Sequence, residues 1–177
     1  AYVTGTMPEM IREDVQSLMK FGMLIMVLIL LVNLRSLPSV GMVLMVIGLS
    51  LFSMIGFMGW VYRFTESDRF LFTMANTSMP IILLTIANSD GVHVMTKFFK
   101  ELRKKQEIRL AVASTMDSLL IPIFLTSITT VAAFLTMISS PLEPMVGYGI
   151  SIGAGIIWAW FLSSLLLPAV IGLKKWD

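Results

Sequence analysis

Cysteine is absent from this 177-residue chain, and charged residues make up only 14% of it, against about 25% in an ordinary soluble domain. The lack of cysteine excludes a disulfide scaffold and all thiol-based metal, redox or nucleophile chemistry, and it leaves the redox compartment undetermined. The low charge, together with 56% hydrophobic residues, excludes a soluble α/β enzyme and a disordered linker. This composition is typical of a bundle of helices in a membrane.

The 24 charged residues cluster, and the uncharged stretches between clusters predict membrane spans. These stretches contain 14, 27, 20, 25 and 30 residues, and about 20 helical residues cross a hydrocarbon core of ~30 Å. The first stretch is short, so its helix should begin in the amphipathic segment before it. Transmembrane strands would be shorter and would alternate polar with apolar residues. The sequence therefore predicts an all-α polytopic membrane helix bundle of five transmembrane helices, at about 15–34, 39–62, 78–98, 111–139 and 144–173.

Basic residues predict the orientation of these helices. The segment 97–109 contains six basic and two acidic residues, and Lys174, Lys175 and Arg35 fall on the same side of the membrane under the five-helix count. Basic residues mark the cytoplasmic side. We therefore expect the N-terminus outside, the C-terminus in the cytoplasm, and 97–109 as a basic cytoplasmic loop forming an amphipathic hairpin at the membrane surface. Nothing in that loop favours nucleic-acid binding.

The first residues predict that the chain continues a longer protein. Residues 1–14 are interpreted as the end of an extracytoplasmic segment and the entry to the first helix, with AYVTGT as a short strand, and 15–177 as the transmembrane domain. Five helices that start outside are an unusual arrangement for a whole protein. We therefore expect a further helix and an extracytoplasmic domain upstream in the parent chain.

Asp90 is the one acidic residue deep in a predicted span, and His93, the one histidine of the chain, lies three residues later. Three residues apart on a helix, the two side chains share a face. Burial favours the neutral form of each, so the pair could exchange protons near neutral pH, as a proton relay does. The alternative is a carboxylate solvated near the helix end, because Asp90 lies about 10 Å from Lys97 along the axis. Asn88 and Ser89 extend this polar cluster and could hydrogen-bond to neighbouring helices.

The fourth predicted helix carries a stripe of small and hydroxyl side chains at Thr126, Thr129, Thr130 and Ala133. Such a stripe could face Asp90 and offer donors to its carboxylate. Equally, the threonine hydroxyls could bond to carbonyls of their own helix.

The fifth predicted helix carries small residues at intervals of four, which indicate a helix-packing face. They are Gly147, Gly149, Ser151, Gly153, Gly155 and Ala159. No phosphate-binding loop, HExxH or GxSxG motif occurs in the sequence. We therefore expect neither an enzyme nor a bound cofactor or metal.

Several motifs in the second half of the chain resemble the resistance–nodulation–division (RND) transporter superfamily, and most closely its MMPL-like branch with a sterol-sensing-type bundle. They are SDGVHV at 89–94, the basic segment 97–109, LTSITTVAAFL at 125–135, the pair Tyr148-Gly149 and the ending Leu166-Leu167-Pro168. The resemblance covers nearly the whole chain, as helices two to six of one half of a twelve-helix transporter.

This resemblance implies export of lipids or other hydrophobic compounds, driven by the proton motive force across a bacterial or archaeal cytoplasmic membrane. It implies membrane lipids, protons, a hydrophobic substrate, a second transmembrane half and extracytoplasmic domains as partners, and a possible homo-oligomer. Asp90 matches the family's proton-relay aspartate. The family often has Tyr where this chain has Gly91, and Gly where it has Ile86 and Ala133. Without that tyrosine, His93 or the pair Thr129 and Thr130 would have to assist Asp90.

Two other functions remain open from the sequence. A sterol- or lipid-sensing membrane module would bind a lipid between helices and regulate partners without pumping. A subunit of the protein-translocation motor shares the architecture, although its aspartate motif is followed by a different basic loop.

Overall fold

The computed structural model describes residues 2–70, 78–174 and 176, and its described side chains exclude residues 2–12, 15 and 68. The described part is helical throughout and contains no strand. Six α-helices follow one another along the chain: α1 (Tyr2–Leu34), α2 (Leu37–Thr65), α3 (Met79–Lys105), α4 (Ile108–Leu135), α5 (Glu143–Phe161) and α6 (Leu167–Leu173). A π-helical segment, Leu162–Leu166, joins α5 to α6, and short 3₁₀ segments lie at Asp68–Phe70 and Thr136–Ser139.

Four helical segments of the described chain are long and apolar enough to cross a membrane. They are Gln16–Leu34, Leu37–Thr65, Ile108–Ser139 and Glu143–Leu173. The all-helical bundle expected from the sequence is thus confirmed. The remaining long helix, α3, is less apolar, because it carries Asp90, His93 and a run of charged residues from Lys97 onward. Its crossing of the membrane stays a prediction from the charge spacing.

Two boundaries differ from the sequence prediction. The prediction of a short strand at AYVTGT is wrong, because residues 2–6 already belong to α1. The loop expected at 97–109 is reduced to Gln106 and Glu107, since α3 runs to Lys105 and α4 begins at Ile108. Lysine, arginine and glutamate are good helix formers. A cluster of charges therefore marks the edge of the apolar span without ending the helix.

Helices α2, α3, α4 and α5 form a ring in which each packs on the next and α5 packs back on α2, while α1 contacts α2 and α3 from outside. The core between them consists of buried aliphatic and sulfur side chains, among them Val43, Met54, Leu83, Met95 and Ile156. The outward faces carry large exposed apolar residues such as Val32 and Phe52, which is the pattern expected where lipid or further protein covers a bundle.

The joint between α5 and α6 has a local cause. Pro168 lacks an N–H donor, and its ring would clash with the carbonyl of Ser164 in a regular helix. The wider π turn at Leu162–Leu166 absorbs this clash. The last helix therefore stays continuous enough to form a span of 31 residues.

Polar pairs and a close backbone contact join the start of α5 to Arg69 and Ser78, at one end of the bundle. Arg69 donates to Glu143 at 2.8 Å, and the hydroxyls of Ser78 and Tyr148 are hydrogen-bonded at 2.9 Å. Gly147 meets the carbonyl of Arg69 so closely that no Cβ would fit.

Candidate functional site

A cavity of about 490 Å³ lies between α3 and α4 and opens on the outside of the ring. Its α3 side is lined by Thr85, Ile86, Ser89, Asp90 and His93. On the α4 side, the lining residues are Leu119, Pro122, Ile123, Thr126, Ser127 and Thr130. The structure thus brings Ser89, Asp90 and His93 of the α3 cluster to one cavity with Thr126 and Thr130 of the α4 stripe.

Asp90 is the buried ionisable group of this cavity. The residue is 7% exposed, and its Oδ2 atom has no hydrogen-bond partner among the described residues. An unpaired carboxylate away from water is costly, and inside membrane bundles such groups mark proton or ion pathways. His93 lines the same cavity but is exposed on its rim.

Gly91, the residue after Asp90, lies at a close contact between α3 and α2. A Cβ at Gly91 would lie 2.8 Å and 3.3 Å from the two γ-methyl groups of Val43. This close approach of α3 to α2 leaves no room for a side chain. It explains in physical terms why glycine stands where the family often has tyrosine.

The threonine stripe is engaged with its own helix. Thr126 donates to the carbonyls of Pro122 and Ile123, and Thr130 donates to the carbonyl of Thr126 at 2.7 Å. Thr129 donates to the carbonyl of Leu125 at 2.8 Å and does not line the cavity. Of the two interpretations of this stripe, the structure agrees with the one in which the threonine hydroxyls bond to carbonyls of their own helix. None of these hydroxyls donates to Asp90.

The other residues singled out from the sequence lie apart from the cavity. Asn88 is half-buried, and its Oδ1 is without a partner among the described residues. The small residues of α5 are buried at contacts with other helices: Gly147, Gly149, Ser151, Gly153, Gly155 and Ala159. A Cβ at Gly155 would lie 3.0 Å from Leu83, whereas one at Gly153 would make ordinary contacts at 3.7 Å.

Sequence reasoning missed a buried acidic residue at the charged end of α3. The Glu101 side chain is 7% exposed, and its carboxylate lies 3.3 Å from Lys97 Nζ and 3.6 Å from Lys104 Nζ. Ser114 of α4 donates to it at 3.2 Å. Desolvation raises the pKa of Glu101, but the hydrogen bond from Lys97, the charge of Lys104 and the hydrogen bond from Ser114 outweigh it and hold the pKa below the ordinary 4.5. The spacing of Glu101 from both lysines was a readable signal for this cluster.

Ser127 of α4 and Trp160 of α5 were also missed. Ser127 Oγ and Trp160 Nε1 are buried and have no hydrogen-bond partner among the described residues. Neither residue stands out in the sequence, because a lone serine or tryptophan in an apolar helix predicts nothing about its partners. In the described ranges, no group of three acidic or histidine side chains could hold a metal ion.

Four helical segments able to cross a membrane indicate an integral membrane protein. Its α3–α4 cavity contains a buried aspartate whose Oδ2 has no partner among the described residues. The family model of the MMPL family matches residues 1–174. The chain therefore belongs to the MMPL family, as a membrane domain of the RND superfamily, and the resemblance stated from its motifs is confirmed.

One relative in the archaeon Methanocaldococcus jannaschii, whose name describes it only as a membrane protein, is 28% identical over 102 residues. The matched stretch covers 58% of this chain and 26% of that relative, so the match spans about a quarter of the relative's length. No solved structure matches the chain.

Proposed function

We propose that this chain is a membrane domain of an exporter driven by the proton motive force, with Asp90 as the proton carrier and lipids or other hydrophobic compounds as substrates. The observation that carries the proposal is the buried Asp90 carboxylate at a cavity between two helices, where its Oδ2 has no partner in the described part of the chain. A proton that binds there removes the cost of a buried charge. Binding and release can therefore shift a bundle between two arrangements without any catalysed reaction.

The polar residues at the open side of the cavity support the proposal that another part of the protein covers this side. Ser89, His93 and Thr126 are exposed on the rim, and polar groups facing hydrocarbon are unfavourable. We propose that a second transmembrane half of the parent protein covers this side, as the resemblance to twelve-helix transporters implies. Protons would then reach Asp90 through a path that is closed to lipid.

Replacing Asp90 with Asn in the full-length parent tests the carrier role. The amide has nearly the same size but cannot take up and release a proton, so we expect export to fall to background while the protein still inserts and stays monodisperse. Asp117→Asn is the matched control, because Asp117 is an exposed carboxylate on α4 outside the cavity, and it should leave export near the parental rate.

Parental export by the Asp90→Asn variant would contradict the proposal. A lipid-sensing module without pumping is the second candidate, and it predicts a different ranking of variants. In that case Asp90→Asn would be mild, and a bulky replacement at Gly153 or Thr130 would change the response to lipid more strongly.

A further inference from the structure

The exposed face of α3 is polar from the middle of the helix almost to its end. Between residues 85 and 103 every exposed residue is polar or charged, and these residues form the α3 stripe: Thr85, Ser89, His93, Thr96, Lys100 and Arg103. They follow one another at intervals of three or four residues, so they lie on one side of the helix. The stripe is about 27 Å long and passes the mouth of the Asp90 cavity, which Ser89 and His93 line.

Lipid is a poor neighbour for the α3 stripe. Its first four residues belong to the span predicted at 78–98, where water is scarce. Thr85 satisfies its hydroxyl within its own helix, by donating to the carbonyl of Ile81 at 2.9 Å. The neutral imidazole of His93 has one donor and one acceptor nitrogen, and a histidine in a span usually faces protein or a water-filled cavity. From the second residue of the stripe onward the intervals alternate between four and three, the spacing by which one helix packs along another. A helix of a protein partner therefore fits the stripe better than acyl chains do.

The length of the archaeal relative indicates where such a partner comes from. Its matched 102 residues are 26% of it, which puts its length at about 390 residues. The present chain uses 177 residues for one set of helices, so two such sets would take up about nine tenths of the relative. The remainder would barely suffice for two more spans of about 20 residues each, with nothing left for extracytoplasmic domains. The relative therefore has room for one transmembrane half, and an assembly of two halves needs a second chain.

We propose that a second copy of the parent chain supplies the missing transmembrane half, and that the two copies meet along their α3 stripes around a two-fold axis, with the partner's His93 at the mouth of each Asp90 cavity. This proposal rests on the proposed function for the role of Asp90 and names the partner that closes the site. Asp90 Oδ2 has no hydrogen-bond partner among the described residues, and an imidazole N–H is a donor for it. His93 follows Asp90 by three residues, about 4.5 Å along the helix axis, so the two-fold axis brings this donor close to the depth of the carboxylate.

The charges of the stripe are compatible with two copies side by side. From Thr85 to Thr96 the stripe carries no permanent charge, so no fixed like charges meet within the hydrocarbon. Lys100 and Arg103 lie beyond the predicted span, where water and salt screen the repulsion between equal charges. The hydroxyls of Ser89 and Thr96 can both donate and accept, so a surface built from them can hydrogen-bond to a copy of itself.

Disulfide crosslinking of the full-length parent in membranes tests the contact, and the absence of cysteine from this chain leaves no background from it. Any cysteine elsewhere in the parent is first replaced by Ser. A disulfide requires Cα atoms within about 7 Å, and a two-fold axis brings equal positions of the two stripes together. Of the single variants Ser89→Cys, Thr96→Cys and Lys100→Cys, we expect at least one to shift most of the protein to twice its apparent mass after oxidation. Phe52→Cys is the control, because Phe52 is 77% exposed on α2, outside the α3 stripe, and it should stay at the mass of one chain.

Asp90→Asn in the crosslinking variant separates this proposal from the proton-carrier role. The amide has nearly the shape of the carboxyl group, so we expect crosslinking to persist while export is lost. Parental export with efficient crosslinking would contradict the carrier role and support the contact between copies. Lost export without any crosslink along the stripe would do the reverse, so that each proposal can fail alone.

Mixed dimers test the position of His93. Asp90→Asn and His93→Ala each disable both sites of a dimer, but a mixed dimer keeps one complete site if Asp90 works with the partner's His93. Co-expression of the two variants with different affinity tags, and tandem purification into vesicles, should therefore restore part of the export that each variant alone lacks. No restoration, or parental export by His93→Ala alone, would overturn the role of the partner's His93.

The mass of the purified parent decides the question if the cysteine variants fail to assemble. Light scattering in mild detergent should give two copies per particle. One copy or three copies per particle, or crosslinking of Phe52→Cys as strong as that of the stripe variants, would overturn the proposal. A parent reading frame that encodes a second set of these helices would overturn it as well.

Discussion

Glycines at helix crossings set how closely the helices of this bundle approach one another. Gly91 abuts Val43 of α2, Gly149 abuts the carbonyl of Phe134, and Gly147 abuts the carbonyl of Arg69. A carbonyl of the backbone cannot move aside as the end of a flexible side chain can. The contacts of Gly147 and Gly149 therefore tolerate no added methyl group unless a whole segment shifts, whereas at Gly91 the Val43 side chain would have to give way.

Replacing Gly147 with Ala should destabilise the chain by about 1–3 kcal/mol, the usual cost of overpacking a well-packed site. Thermal unfolding in detergent, followed by tryptophan fluorescence, measures the effect. Gly22→Ala in α1 is the control, since a Cβ there meets nothing within 4 Å, and it should be neutral or slightly stabilising because alanine favours helices. Equal stability of the two variants would show that α5 can slide away from Arg69.

At the scale of single residues, the sequence predicted which buried group is energetically costly, but not which residues contact each other between helices. Asp90 could be singled out because a carboxylate in an apolar run needs a compensating role. The contact of Gly91 with Val43 could not be predicted, because it depends on the crossing of two helices whose relative position no local pattern encodes. The absence of a donor for Asp90 from the threonine stripe has the same origin, since each hydroxyl can bond equally well within its own turn.

The cluster formed by Glu101, Lys97, Lys104 and Ser114 joins α3 to α4 at the turn between them. The carboxylate accepts a hydrogen bond across the hairpin from Ser114 at 3.2 Å, and the two lysines lie one turn before and after it on α3. Close to the same end, Trp176 packs on Phe98 and Phe99 with ring centroids 5.4 Å apart in both cases, and its Nε1 donates to the carbonyl of Ile171. The hairpin and the end of the chain are thus held to α3 by different contacts.

Glu101→Gln should lower the thermal stability of the chain near pH 7, because the neutral amide loses its attraction to both lysines. The pKa of Glu101 is lowered in the folded state, so its contribution is complete above the ordinary value of 4.5 and is lost as the pH falls from there through the lowered pKa. Unfolding curves recorded from pH 7 to pH 3 should converge for the original chain and the variant at the acidic end. Glu107→Gln, at an exposed position in the turn, is the control. A constant difference across the whole pH range would contradict the ionic role of Glu101.

The ends of the helices show that hydropathy and helix propensity determine different features. Hydropathy predicts where a span lies, and helix propensity affects where the helix ends. The apolar stretches predicted the helices well in their middle, as for 39–62 against Leu37–Thr65. Prediction failed at the ends, where α3 runs on to Lys105 and α1 begins at Tyr2. Charge patterning identifies where hydrocarbon should end, whereas a helix continues until a residue such as Gln106, with φ of 55°, turns the backbone into the left-handed conformation.

The molecule as a whole has an asymmetric surface. Most of its outward faces are apolar, with Val32, Phe52 and Ile121 each more than 60% exposed, but the mouth of the Asp90 cavity is polar. A bundle surrounded on all sides by lipid would favour apolar residues at that mouth as well. This asymmetry is the physical argument for a protein partner on the α3–α4 face.

Thr126→Trp in the full-length parent should therefore abolish export and disturb assembly, because the indole would occupy the volume between the two proposed halves. Val32→Trp is the control, since Val32 is 73% exposed on α1 and lies outside the lining of the cavity. Size-exclusion chromatography in mild detergent and export assays report the two effects. Two variants that behaved alike, both monodisperse and active, would indicate that lipid rather than protein borders the cavity.

The Glu101 cluster also has a consequence for how the chain enters the membrane. Orientation during insertion depends on the number of lysine and arginine residues close to the spans, and acidic residues contribute little to it. In the folded protein, the single negative charge of Glu101 can therefore pair with two of the six bases of segment 97–109 without weakening the retention of this segment on the predicted cytoplasmic side. A buried carboxylate at this position thus stabilises the finished hairpin and leaves the topology signal of the nascent chain intact.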